Sequence, residues 1–368
     1  MKLHLLFIGN TFIYNKPFQE YIIRKIEQQV GFVSSITYFK EKDNTLFLYL
    51  EQELNTANKI IIVTTKQTFT TVGKLICTVT SDNQILKGNI LIPSKSIEHK
   101  GGNYLLNYKK SIINVLHINE TQKIPDILVH YDGSNGSIQI FDENIDKESL
   151  FHILNPMAKT YDVSIELVSI IDGWFVVDIT GKKYGNISKF INAVKKVLED
   201  KVINSSNIVK HIIEKLTQLN RKVSFAESCT GGLLSYYFTK ENGASNILDG
   251  SLVTYSNEFK ENWLGVSEEA LNRYGAVSHS VIKEMSEGAM NVSNADYTLS
   301  ISGIAGDSGG TKEKPIGTVY ISVRANIDER IKHQEVKLLL QGDRNYVQEQ
   351  STLEAIRMLL LIDKKSFF

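Results

Sequence analysis

Ala226-Glu227-Ser228-Cys229-Thr230-Gly231-Gly232 follows the apolar run Val223 to Ala226 and precedes a periodic stretch, Leu233 to Phe238. A strand that breaks at two glycines and re-enters as a helix marks a crossover in an α/β sheet. At such a junction the backbone N–H groups of Thr230, Gly231 and Gly232 face whatever lies at the helix start. A phosphate or a developing oxyanion is stabilised there. Helix capping by Ser228 and Thr230 is the alternative, and on spacing alone it is the favoured one. The segment is not Gly-x-Ser-x-Gly, and the chain has no Walker loop.

A serine hydroxyl becomes a nucleophile when a base takes its proton, and an amine serves if burial or a nearby cation lowers its pKa. Lys260, 32 residues after Ser228, is the candidate base, in Tyr255-Ser256-Asn257-Glu258-Phe259-Lys260. Tyr255 and Asn257 are polar neighbours for the amine or the substrate. A solvated lysine on an amphipathic helix is the plainer reading. Ser280-Val281-Ile282-Lys283 has Ser-x-x-Lys spacing but falls in the first turn of a helix capped by Ser278, so a structural role is favoured.

Gly303-Ile304-Ala305-Gly306-Asp307-Ser308-Gly309-Gly310 follows a strand read over Tyr297 to Ser302. Gly303, Gly306, Gly309 and Gly310 thus sit outside a strand end, where α/β sheets bind ligands, and a surface loop is the equal alternative. Lys312, Lys314 and Arg344 supply cations for a phosphate. Gly133-Ser134-Asn135-Gly136 fits a Gly-x-x-Gly RNA clamp in spacing only; between strands it reads as a turn. The histidines form no metal spacing.

Outward from this region the chain reads as α/β throughout. Leu3 to Ile8, a helix over Pro17 to Val30 and Lys59 to Val63 open a βαβ layer, followed by strands at Leu75 to Val79, Ile85 to Leu91 and Ile112 to Ile118. A second unit pairs Ile127 to Tyr131 with Ser137 to Phe141, then a helix over Lys147 to Tyr161 interrupted at Pro156. The strands Val163 to Ser169 and Trp174 to Ile179 and a helix over Ile187 to Leu198 complete a ββαββα sandwich. The third opens with Ser206 as N-cap and continues through strands at Val223 to Ala226, Leu252 to Tyr255, Tyr297 to Ser302, Gly317 to Val323 and His333 to Leu340. Its helices cover Glu258 to Leu264, Glu268 to Tyr274, Val281 to Val292 and Arg344 to Ile362.

At 368 residues the chain exceeds one typical domain of about 100 to 200 residues. Lys plus Arg balances Asp plus Glu at 41 each, so no global field draws it to nucleic acid or an anionic membrane. Cys77 and Cys229 form no disulfide framework, and no apolar run approaches the roughly 20 residues of a membrane helix. A cytoplasmic protein is the expectation.

From Ser206 onward the chain resembles the carboxy-terminal domain of the competence-damage-inducible CinA family. The matching blocks are Ala226 to Gly232, Val253 to Glu258 with Lys260, Tyr274 to Ser278, Ser300 to Gly306, Glu313 to Val319 and Gly342-Asp343-Arg344. The resemblance implies an α/β amidohydrolase domain over 204–368, a small α+β connector over 123–203 and a divergent molybdopterin-binding-like α/β domain over 1–122. It implies hydrolysis of nicotinamide mononucleotide to nicotinate mononucleotide and ammonia, with no cofactor, in pyridine nucleotide salvage. Ser228 is then the nucleophile, Lys260 its base and Tyr255 a third catalytic residue. Thr230, Gly231, Gly232, Asn257, Gly303, Gly306, Gly309, Gly310 and Arg344 bind the nucleotide, and the protein is a homodimer.

Asp307 stands where the family usually has proline, placing a negative charge beside the phosphate loop. In the first domain, Gly9-Asn10-Thr11-Phe12-Ile13 and Thr64 to Thr70 depart from the family's glycine-bearing blocks, so its ADP-ribose hydrolysis is expected to be lost. The rival is a non-catalytic nucleotide-binding or interaction protein linked to competence or DNA damage.

Overall fold

The computed structural model describes residues 2–56, 58–129 and 135–368. They fall into two compact units, 1–132 and 133–368.

In the first unit, β1 (Leu3–Ile8), α1 (Asn10–Tyr14), α2 (Lys16–Val30), β2 (Ser35–Phe39), α3 (Leu46–Glu53), β3 (Lys59–Thr64) and α4 (Lys66–Thr80) precede the hairpin β4 (Gln84–Lys87) and β5 (Ile90–Pro93). After them come β6 (Glu98–His99), β7 (Asn103–Tyr108) and β8 (Ser111–His117). The main sheet runs β2-β1-β3-β8-β7-β6, parallel from β2 to β8 and antiparallel beyond. Leu5 and Phe7 of β1 pack on one face with Ile22 and Ile26, while Leu6 and Ile8 pack on the other with Leu50 and Ile76. Burial on both faces is why β1 and β3 read as unbroken apolar runs.

Leu75 to Val79 is helical, not a strand. Thr65 and Thr68 form a reciprocal capping box at the start of α4, and Phe69, Val72, Ile76 and Thr80 then fall on one buried face. Tertiary burial overrides the β-branched run. The same box closes the N-terminus of α4, because Thr65 accepts from the Thr68 N–H at 3.3 Å and Thr68 accepts from the Thr65 N–H at 3.0 Å.

The second unit begins with β9 (Asn135–Phe141), α5 (Lys147–Thr160), β10 (Val163–Ile171), β11 (Trp174–Gly181), α6 (Ile187–Leu198) and β12 (Val202–Ile203). They make an antiparallel sheet in the order β10-β11-β9-β12. The partners of β9 are therefore β11 and β12. Ile127 to Val129 forms no strand, and the rest of that expected strand, with Gly133 and Ser134, lies outside the described residues. Helix α5 runs unbroken through Pro156, whose ring sits on the exposed face, where solvent can serve the freed His152 carbonyl.

The unit continues with α7 (Ile208–Leu219), β13 (Val223–Glu227), α8 (Leu233–Thr239), β14 (Leu248–Val253), α9 (Asn257–Leu264), α10 (Glu268–Tyr274) and α11 (His279–Ser293). It ends with β15 (Tyr297–Gly303), β16 (Thr318–Ile327), β17 (Arg330–Leu339), α12 (Arg344–Ile362) and α13 (Lys364–Phe367). The cap of α7 is Asn207 instead of Ser206, its side chain accepting from Lys210 N at 3.0 Å. The sheet order is β14-β13-β15-β16-β17, with β14, β13 and β15 parallel. Phe225, Leu299 and Ile301 face a core built with α7, α8 and α12, while Ala226 faces one built with α9, α10 and α11. Phe141, Trp174 and Ile203 of the four-stranded sheet enter the first of these cores.

Candidate active site

Strand β13 is flanked on both sides by parallel neighbours and delivers its last residues at their common C-terminal edge. Ser228 N donates to Ile301 O at 2.9 Å, holding the serine against β15 one residue past the strand. Gly231 and Gly232 then adopt φ of +61° and +101°, left-handed values that a side chain would strain.

The turn is anchored by Glu227, which is fully buried. Its carboxylate accepts from Gly232 N at 3.1 Å, Leu234 N at 3.0 Å, Ser235 N at 2.9 Å and the Ser235 hydroxyl at 2.5 Å. A charged residue ending an apolar strand is the sequence signal for this role, and motif spacing does not reveal it. Glu227 caps α8 from the preceding strand, where the negative charge also meets the positive end of the helix.

Lys260 reaches the same point from α9. Its Nζ lies 3.1 Å from Ser228 Oγ and donates to Thr254 O at 2.7 Å and Tyr255 O at 3.2 Å. Those carbonyls are available because β14 ends at Val253, short of the expected Tyr255. Thr254 N still donates to Glu227 O at 2.8 Å, after which the chain turns away into α9 behind the Ser256 cap. Lys260 is almost entirely buried, and burial lowers its pKa to about 8. Buried Cys229, beside the serine, is pushed up to about 12 by burial and stays a thiol.

Of the other residues expected at the site, Tyr255 contributes its carbonyl to Lys260 while its side chain is 63% exposed. Asn257 is exposed on the first turn of α9. Thr230 is buried, and its hydroxyl has no partner among the described residues. The N–H of Gly231 already donates to Ser228 O at 3.1 Å and that of Gly232 to Glu227. Among the described residues, the N–H groups of this turn with no acceptor outside their own residue are those of Cys229 and Thr230.

Gly303 ends β15 against Val319, and Gly310 backs onto Ile316 N. Gly306 lies under Arg344: a Cβ there would stand 2.9 Å from the guanidinium carbon and 3.0 Å from Nε. Loop and cation are thus brought together, with Gly309 at φ +91° and Asp307 exposed on the same loop. The Arg344 charge is felt at the Cys229 thiol, which ties this cation to the Ser228 turn. Lys314 is held by Tyr274 O at 2.5 Å, and Lys283 is exposed on α11. Gln348, one turn after Arg344 in α12, donates to Cys229 O at 2.6 Å, a contact for which sequence spacing offers no signal.

A buried serine and a buried lysine are thus in contact at the C-terminal edge of the parallel strands β14, β13 and β15. Residues 205–362 match the model of the CinA C-terminal domain. The chain is 35% identical to the competence/damage inducible protein CihA from Agrobacterium tumefaciens, a solved structure, covering 42% of this chain and 93% of that one with a TM-score of 0.40. It is 41% identical over 167 residues to a CinA-like protein of Prochlorococcus marinus (strain AS9601), covering 44% of this chain and 39% of the relative. To a CinA-like protein of Thermosipho melanesiensis (strain DSM 12029 / CIP 104789 / BI429) it is 37% identical over 204 residues, covering 55% and 49%. The chain belongs to the CinA family. It spans about half or less of the length of these curated relatives. No helix among the described residues is long and apolar enough to cross a membrane.

Proposed function

We propose that the C-terminal domain hydrolyses the carboxamide of nicotinamide mononucleotide, releasing ammonia and nicotinate mononucleotide. The observation that carries the reading is the 3.1 Å approach of a buried, pKa-lowered Lys260 to Ser228. Neutral Lys260 takes the Ser228 proton as Oγ attacks the carboxamide carbon, and the Cys229 and Thr230 N–H groups receive the oxyanion. Collapse breaks the C–N bond, Lys260 returns its proton to the leaving nitrogen, and ammonia departs. Water, deprotonated by Lys260, then attacks the Ser228 ester and frees the carboxylate. Arg344 over Gly306 is the counter-charge for the phosphate.

Ammonia release from nicotinamide mononucleotide by wild type, Ser228→Ala and Lys260→Ala tests the reading. Turnover by wild type alone supports it; undiminished turnover in either variant rejects the assigned roles, and tight nucleotide binding without turnover in wild type supports a binding protein instead.

A further inference from the structure

We propose that Gln348 is a positioning residue for the oxyanion site, holding the Cys229 carbonyl so that the Thr230 N–H is aimed at the substrate's carbonyl oxygen. The inference rests on the acyl-transfer reading of Ser228. Two N–H groups of the turn have no acceptor outside their own residue among the described residues, those of Cys229 and Thr230. Each belongs to a peptide unit whose carbonyl is held. The Ser228 carbonyl is held locally by Gly231 N at 3.1 Å, whereas the Cys229 carbonyl is held at 2.6 Å by a side chain 119 residues away.

In a trans peptide the C=O and N–H point in opposite directions, and the structure has no cis bonds. A donor on the Cys229 carbonyl therefore fixes where the Thr230 N–H points. Gln348 approaches from α12, on the sheet face shared with α7 and α8, while Lys260 belongs to α9 on the other face. The N–H is aimed away from α12, toward the side from which the base meets Ser228. No other residue donates to the Cys229 carbonyl among the described ones, so this half of the site depends on α12. The same helix carries Arg344 one turn earlier, coupling the cation over Gly306 to the geometry of the turn.

Gln348→Met keeps the length of the side chain and removes the donor; Gln348→Glu keeps the shape and reverses the polarity. Two readouts are needed, steady-state ammonia release from nicotinamide mononucleotide and the rate of Ser228 labelling by a fluorophosphonate. In labelling, Ser228 Oγ forms a bond to phosphorus, fluoride leaves, and the phosphoryl oxygen takes the oxyanion's place. Both variants are expected to lose roughly 10- to 100-fold in kcat with KM nearly unchanged, and to lose labelling in parallel. Labelling and kcat at the wild-type rate in either folded variant overturn the proposal, as does a loss confined to KM; if the methionine variant does not fold, the glutamate variant decides. Wild type that labels at Ser228 but releases no ammonia refutes the substrate, and the labelling comparison still judges Gln348. Wild type that does not label overturns both.

Discussion

Lys260 Nζ stands 3.1 Å from Ser228 Oγ while the Thr254 and Tyr255 carbonyls occupy two of its remaining hydrogen-bonding directions. In the neutral amine those carbonyls take both N–H groups, and the lone pair is left facing the serine hydroxyl. In the ammonium form all three directions carry a proton, and Ser228 only accepts. In the proposed mechanism the site works in one protonation state of the lysine. With the pKa lowered to about 8, kcat/KM for amide hydrolysis is expected to rise about tenfold per pH unit below 8 and to level off above it. A pH–rate profile flat through that range would refute the base assignment.

The same burial has a signature in stability. An unfolded lysine titrates near 10.4, so between about pH 8 and 10.4 the unfolded chain holds a proton on Lys260 that the folded chain does not. Stability therefore rises with pH across this window and is unaffected by the lysine below it. Against Lys260→Met, wild type is expected to gain on the order of 3 kcal/mol from pH 8 to 10.4. Denaturant unfolding of both proteins at pH 7.5 and 10.5 measures it; a constant difference would mean that Lys260 is not desolvated.

Local signals made much of this framework legible. Helix α11 was readable because Ser278 caps it, and α6 because Ile191, Val194 and Leu198 repeat at helical spacing. Helix α4 reads as a strand at Leu75 to Val79 because its deciding contacts are tertiary, and β7 follows the Gly101-Gly102 turn without a local signal of its own. At the site, the motif blocks single out Ser228 and Lys260, but their contact depends on β14 ending at Val253 and on how closely α9 meets α11. Neither is written in spacing. Tyr255 shows the converse, since the motif marks the residue while the atom that reaches Lys260 is its backbone carbonyl.

The close approach of α9 to α11 is itself testable. Gly288 sits against the last residue of α9, and a Cβ there would lie 2.6 Å from the Leu264 carbonyl carbon and 2.8 Å from its Cα. Backbone cannot rotate aside as a side chain does, so Gly288→Ala forces the end of α9 to shift. Overpacking of this kind costs about 1–3 kcal/mol. Because Lys260 rides on the same helix, kcat is expected to fall roughly tenfold or more, as sub-ångström placement of a base matters. Thermal melting and ammonia release on the variant check both effects; unchanged kcat would show that α9 does not set the serine–lysine distance.

Gly306 and Arg344 allow the proposed phosphate role to be separated from the chemistry. A methyl at Gly306 would meet the guanidinium at 2.9 to 3.0 Å, and because Arg344 is exposed it can swing outward. The backbone is not in the left-handed region there, so alanine displaces the arginine without straining the loop. Loss of a counter-charge to a group remote from the reacting carbon removes binding shared by ground and transition states, which raises KM and spares kcat. Gly306→Ala and Arg344→Lys are each expected to raise KM for nicotinamide mononucleotide roughly tenfold, the lysine because it lacks the two-pronged fork that fits a phosphate. For the dephosphorylated riboside, which offers Arg344 no partner, wild type and both variants should share one KM. Steady-state kinetics on the two substrates decides: an equal rise in KM for both would place Arg344 against some other part of the ligand, and a fall in kcat for both would place it in the chemistry.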